Sequence, residues 1–319
     1  MKAIRCTRVG PPEALTLEDI AAPSPAPGHV AFTVKAAGVN FPDVLIIQNK
    51  YQIKPEMPFT PGHEAAGVVT AVGEGVTGFK PGDPVVAQTV LGAFAEVVTA
   101  PAKFCFAIPK SLDFSAAAAM PIAYGTSYYA LKERGHLKAG ETLLVLGASG
   151  GVGLAAVQLG KIMGARVIAC ASSDEKLATC KTHGADDVIN YATEDLREAI
   201  KRLTAGKGVD VVVDPVGGDF AEPCVRGMAW KGRYLVVGFA AGAIPKIPLN
   251  LALLKGCSIV GVACLEPAGS RENFAQMVQW AAEGRLKPVV SATYPLARTV
   301  EALNDVAHRK VQGKIIILP

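Results

Sequence analysis

The chain has 319 residues, half of them apolar and 19% charged, with a net charge of +4. That length suits two domains, each able to bury its own core, and the small, dispersed positive charge excludes binding to nucleic acid through a basic stripe. The uncharged stretches, Ser115 to Leu131 among them, are broken by Pro, Gly and polar residues, so no membrane span is expected.

The first residues, MKAIRCTRVGPPEAL, carry Lys2, Arg5 and Arg8 around no apolar core, so no secretory signal is read there. Residues 1–121 consist of short apolar runs ("HVAFTVKAAGV", "AAGVVTAVG", "DPVVAQTV", "GAFAEVVTA") separated by turn residues. Their spacing predicts a compact β-rich domain, a partly open barrel. From residue 122 the pattern becomes regular β-α alternation. "TLLVLG" at 142–147 reads as a buried strand, followed by a helix from Gly151 to about Gly164. Then come "RVIACAS", the helix "DEKLATCKTHG", "DVIN", the helix "EDLREAIKRLT", "VDVVVDPV", "GRYLVVGF" and "CSIVGVACL". Apolar, β-branched runs alternating with helices predict an α/β fold with a doubly wound parallel sheet over 122–264. Residues 265–319 hold two amphipathic helices, "RENFAQMVQWAAEG" and "TVEALNDVAHRK", and a last strand, "GKIIILP". They are too few for a domain and are expected to fold back onto residues 1–121. The seven cysteines are scattered, without a Cys-x-x-Cys, which points to a reducing cytoplasm rather than a disulfide framework.

The sharpest local signal is Gly147-Ala-Ser-Gly150-Gly-Val-Gly153, placed between a buried strand and a helix. Glycines there permit a tight turn and let backbone N–H groups of Ser149, Gly150, Gly151 and Val152 approach a pyrophosphate at the positive end of a helix. Dinucleotide binding follows. The ribose-recognition position, at the end of the second strand, holds Ser172 and Ser173 with Lys176 one turn on, where an NAD enzyme would place Asp or Glu. Hydroxyls and an ammonium suit a 2′-phosphate, so NADPH is the expected cofactor. Ser172-x-x-Glu175 also fits a capping box, and Asp174 is an awkward charge beside a phosphate.

"GHEAAGVVTAVGEGVTGFKPGDPV" together with "LVLGASGGVGLAAVQLGKIMGARVIACASSDEKL" resembles the medium-chain dehydrogenase/reductase superfamily, and within it the zeta-crystallin-like quinone oxidoreductases. The resemblance spans the whole chain. It implies a GroES-like catalytic domain (1–121 and 265–319), a Rossmann-like domain (122–264) and an active site in the cleft between them. Zinc-dependent members share the Gly-His-Glu but add a cysteine in a Gly-Val-Cys-His turn and a further ligand near the domain junction. Here those places hold Gly38-Val-Asn40-Phe-Pro-Asp43 and Pro121-Ile122-Ala123, so a three-ligand catalytic zinc site is not completed and no metal is expected. His63 is then a hydrogen-bonded residue of its turn.

Without a metal, the acceptor must already be activated, as a quinone or a conjugated alkene is. In relatives that reduce enoyl thioesters, a tyrosine eleven residues after such an asparagine protonates the carbon next to the carbonyl. Tyr51 stands eleven residues after Asn40, as candidate acid or as a cleft-lining ring. The resemblance also implies Asn40 near the nicotinamide ribose, Thr126 near the nicotinamide, Tyr191 at the adenosine phosphate, and Val216, Phe239 and Cys264 at strand ends facing the cofactor. Lys314, opening the last strand, is expected to reach the ribose or its phosphate. Quinone and enoyl-thioester (acryloyl-CoA-like) acceptors both stay open. So does a turnover-free role, since relatives have been recruited as lens structural proteins or RNA binders. The apolar "IPLNLALLKGCSIVGVACL" resembles the segment through which family dimers join their sheets, so a homodimer is expected.

Overall fold

The computed structural model describes residues 1–264 and 266–319. The chain divides into two compact units, Met1–Ile122 with Phe274–Pro319, and Ala123–Asn273. The domain limits expected from sequence fell at 121/122 and 264/265; residue 265, the expected start of the C-terminal piece, lies outside the described residues.

The first unit is built on the long strand His29–Val39, whose Val, Phe and Thr side chains suit a pleated, half-buried surface. It pairs antiparallel with Glu64–Val72 along most of its length, with Val97–Pro101 at its start and with the last strand, Lys314–Leu318, at its end. Among the described residues this sheet runs Val290–Pro295, Lys314–Leu318, His29–Val39, Glu64–Val72, Pro84–Gln88, Cys105–Ala107. Phe32, Val34, Val69, Val85, Phe94, Ile315 and Ile317 fill its interior. The strand Val290–Pro295 was not foreseen. It lies at an edge, and its sequence VSATYP mixes polar residues and a proline into the run.

The second unit is a parallel sheet in the order Asp187–Asn190, Arg166–Ala171, Thr142–Val145, Val209–Asp214, Met228–Val236, Ser258–Gly261. Successive strands step one way from Thr142–Val145 and then the other, so the order reverses between Thr142–Val145 and Val209–Asp214. Ligands of doubly wound sheets bind outside the carboxyl ends of strands at such a reversal. A helical stretch from Phe114 to Arg134, with π-type turns over Met120–Tyr124 and Tyr129–Arg134, was also missed. Pro121 and Gly125 interrupt the pattern that would have revealed it.

The helix Gly151–Ile162 sits hard on the sheet, and glycine makes this possible. A Cβ on Gly153 would run into the Gly147 carbonyl and stand 2.7 Å from the Ala148 Cα. Gly153→Ala should therefore push the helix off the loop and cost about 1–3 kcal/mol, the usual range for overpacking. Chemical denaturation would show this, and an unchanged midpoint would mean the helix slides without resistance.

Candidate functional site

Within the second unit the loop after Thr142–Val145 is fixed on both sides. Leu146 N–H donates to the Val213 carbonyl and Ala148 N–H to the Cys170 carbonyl, both at 3.0 Å. Gly147 has φ of 55°, a conformation glycine adopts without steric cost. Gly150 caps the helix, leaving Gly151, Val152 and Gly153 as its first three residues, whose N–H groups have no intrahelical acceptor. Ser149 is buried beside them. The Ser127 hydroxyl lies 2.8 Å from the carbonyls of Ala123 and Val152, which ties the short helix carrying Thr126 to this loop. These residues fit an anionic pyrophosphate.

Ser172, Ser173, Lys176 and Tyr191 gather at the carboxyl ends of the neighbouring strands Arg166–Ala171 and Asp187–Asn190. The helix cap falls one residue later than the capping-box pattern suggests: Ser173, not Ser172, accepts from Lys176 N–H, at 3.4 Å. Ser172 stays exposed, with the Lys176 ammonium 3.4 Å from its hydroxyl. The Asp174 carboxylate is held aside by the Asn190 amide at 2.8 Å. Tyr191 stacks obliquely on Phe220, with ring centroids 4.5 Å apart.

Val216 covers the loop from the next strand, close enough that a Cβ on Gly147 would meet its methyl at 2.7 Å. Its turn is pinned by Asp214, which the sequence did not single out. The buried carboxylate accepts from Val216 and Gly217 N–H at 2.7 and 2.8 Å and from the Tyr234 hydroxyl. Burial pushes the Asp214 carboxyl up, against the pull of these donors. Phe239 packs over Gly217 and is partly exposed. Cys264 follows the edge strand, three strands from the loop-bearing one. Its thiol donates to the Glu266 carbonyl at 2.9 Å, and burial pushes its pKa up to about 11.

The first unit holds a buried polar cluster assembled from the starts of three elements. Asn40 caps the helix Phe41–Ile47, Glu64 opens one strand and Lys314 opens another. In register, Gly38 pairs with both Glu64 and Ile316, and a Cβ on Gly38 would strike the Glu64 carboxylate. The Lys314 ammonium donates to the Val39 carbonyl (2.8 Å), Asn40 Oδ1 (2.6 Å) and Glu64 Oε1 (2.7 Å). Its three N–H bonds are therefore all taken inside the unit. The sequence placed Lys314 towards a ribose or phosphate; in this structure its ammonium lies within the buried cluster. The Asn40 amide is engaged likewise, its Nδ2 donating to Glu64 Oε1 at 2.8 Å and to the Gly38 carbonyl at 3.3 Å. Asn40 thus holds the Glu64–Lys314 pair. Glu64 Oε2 accepts from Ile122 N–H at 2.7 Å.

Asp43 extends the cluster. One oxygen accepts from Asn40 N–H at 2.7 Å, and the other lies 2.5 Å from His63 Nδ1. Burial works against charge on His63, but the Asp43 carboxylate, by charge and hydrogen bond, and the Glu64 charge outweigh it and the opposing Lys314 ammonium. The net pKa direction is up. Tyr51 is half-buried against the same core, and its phenol is pushed up by burial and by the Asp43 charge. Among the described residues no group of three or more His, Cys, Asp or Glu side chains stands together as a metal would require. The cation beside Glu64 is Lys314. Asn40-x-x-Asp43 has the spacing of a cap and its third residue, a local signal the sequence reading passed over that could have tied Asp43 to Asn40; nothing local links it to His63.

The alcohol dehydrogenase GroES-like domain model matches residues 26–110, and the zinc-binding dehydrogenase model matches 151–283. The chain is 39% identical over 325 residues to a quinone oxidoreductase-like protein 2 homolog of Nematostella vectensis, covering 99% of this chain and 88% of the relative. It is 36% identical to the quinone oxidoreductase of Homo sapiens, covering 100% and 98%. The structure of the Escherichia coli quinone oxidoreductase complexed with NADPH superposes with a TM-score of 0.94 at 32% identity over the full length of both chains.

Removing one member of a buried ion pair strands the other. Lys314→Met should destabilise the protein by roughly 3–5 kcal/mol in chemical denaturation. Adding Glu64→Gln to it should recover much of the loss. A near-neutral single substitution would show that the Asn40 and Ile122 donors alone suffice for the Glu64 carboxylate.

Proposed function

For a chain that belongs to the zinc-independent, zeta-crystallin-like quinone oxidoreductase family of the medium-chain dehydrogenase/reductases, we propose NADPH-dependent, metal-free reduction of a quinone or an activated conjugated alkene. The observation that carries this reading is the glycine cradle at the reversal of strand order, with Ser172, Lys176 and Tyr191 grouped one and two strands away. The cofactor, when bound, supplies hydride; the protein binds, orients and handles charge. Ser172 and the Lys176 ammonium offer a donor and a positive charge to a 2′-phosphate. The Asn190 amide, by engaging Asp174, moderates the one opposing carboxylate. Thr126, Val216, Phe239 and Cys264 are assigned to the cofactor's path along the strand ends.

Membership of the quinone oxidoreductase family supports a quinone acceptor. An enoyl-thioester acceptor is favoured by one feature, Tyr51. Burial and the Asp43 charge keep its phenol protonated, as an acid that delivers a proton to carbon requires. Seven free thiols fit a reducing cytoplasm.

A homodimer is part of this reading. Among the described residues Ser258–Gly261 pairs on one side only, leaving an open sheet edge. Leu249, Leu253 and Leu254, on the helix just before it, are 77%, 79% and 68% exposed. An open edge beside a large apolar patch is a liability that pairing with a second copy removes.

Initial rates of NADPH oxidation with a 1,4-quinone and with acryloyl-CoA, both in excess EDTA, test the activity. Turnover insensitive to EDTA is expected, with Tyr51→Phe slowing acryloyl-CoA reduction and leaving NADPH affinity unchanged. Loss of rate in EDTA, or no turnover of either acceptor, would overturn the reading. Lys176→Glu should raise the NADPH Kd at least tenfold more than the NADH Kd; equal effects would remove the 2′-phosphate assignment. Sedimentation should give a dimer that Leu253→Glu with Leu254→Glu turns into monomer, whereas a wild-type monomer would end that part of the proposal.

A further inference from the structure

One atom of the buried cluster has no hydrogen-bond partner among the described residues. Asp43 uses both oxygens, the Glu64 carboxylate accepts from Asn40, Lys314 and Ile122, and Lys314 spends all three N–H bonds. His63 is 6% exposed, and its Nε2 is buried without a hydrogen-bond partner among the described residues. A carboxylate only accepts, so the hydrogen on Nδ1 points to Asp43 and the ring orientation is fixed. The ionisable groups facing the imidazole are Asp43, Glu64 and Lys314. With a neutral ring they sum to one buried negative charge; with an imidazolium they sum to zero. Buried charge is costly unless balanced, which favours the doubly protonated ring and makes Nε2–H a donor aimed at nothing.

We propose that the Nε2–H of His63, oriented by Asp43, is the donor that receives the oxyanion developing on the acceptor during reduction. This rests on the reductase reading above. The hydride electron pair forms the new C–H bond, the displaced π pair comes to rest on the acceptor's carbonyl oxygen, and Nε2–H meets that charge without leaving the ring. The same role serves a quinone and an enoyl thioester, since in each the oxygen becomes an enolate oxygen. The quinone product then aromatises to the hydroquinone as the enolate oxygen takes a proton from water and a proton moves from the hydride-bearing ring carbon to the second oxygen. Such a donor acts through preorganisation: it is held in place before the charge appears.

The test uses 4-nitrophenolate as a stable oxyanion, so that binding is read without turnover. In protein with 15N-labelled imidazoles, His63 is identified by the signal lost in His63→Gln. Titration should show it doubly protonated above pH ~6.5, the ordinary histidine value. Adding 4-nitrophenolate should shift its Nε2 resonance. His63→Phe should abolish 4-nitrophenolate binding, while His63→Gln, which keeps an N–H on its side chain, should retain part of it. In turnover, His63→Phe should lower kcat by about 100-fold, as loss of one oxyanion donor does, with the NADPH Kd unchanged. An Nε2 resonance indifferent to the phenolate, or a phenylalanine variant that binds it as wild type does, would overturn the proposal whatever the activity. Conversely, phenolate binding through His63 in a protein that reduces neither acceptor would sink the reductase reading and leave the oxyanion site standing.

Discussion

A carboxylate with no exposure to water dominates the first unit. Glu64 is buried at the start of a strand, where its charge must be balanced and its oxygens satisfied. Everything around it follows from that requirement. Gly38 lacks a side chain because the carboxylate occupies the space. Asn40 donates to it while capping a helix, and Lys314 returns from the last strand to supply the cation. In the zinc-dependent members that share the Gly-His-Glu, the resemblance implies a metal in this neighbourhood; here an ammonium balances the charge.

The second unit solves a different problem, bringing backbone close to a diphosphate. It does so by removing side chains at Gly147 and Gly153, so that helix, loop and sheet meet without a Cβ between them. The buried Asp214 then fixes the adjoining turn from below, presenting Val216 over the loop. Both units thus use a buried carboxylate to hold a backbone segment; Asp214 is linked to the Tyr234 phenol, whereas in the first unit Asp43 is linked to an imidazole.

What was legible in the sequence is what is contiguous in it. The loop from Gly147 to Gly153 reads directly, because strand, glycines and helix are neighbours in the chain and their backbone geometry is local. The parallel sheet reads for the same reason, from runs such as VDVVVD. The charged cluster does not: His63 and Asp43 are 20 residues apart, and Lys314 and Glu64 are 250 apart. Lys314 stands at the mouth of a strand, which drew a cofactor role. Only the register of that strand against His29–Val39 shows the ammonium turned inward. At Ser172 the sequence suggested a capping box, and a single residue of offset moved the cap to Ser173 and left the Ser172 hydroxyl exposed.

A cluster built only for stability would close on itself, because each unsatisfied polar atom inside a protein subtracts from the gain of burying the rest. The Asn40–Asp43–Glu64–Lys314 network does close, with every polar group in it engaged. His63 is attached to it through one nitrogen and open at the other. The closed part therefore acts on His63 as a mount: it fixes the ring through Asp43, sets the sign of the local charge, and leaves Nε2 without a hydrogen-bond partner among the described residues. A group held so firmly and left so incomplete is arranged for something that arrives during the reaction, and the only charge that reductive chemistry creates on an acceptor is on its oxygen.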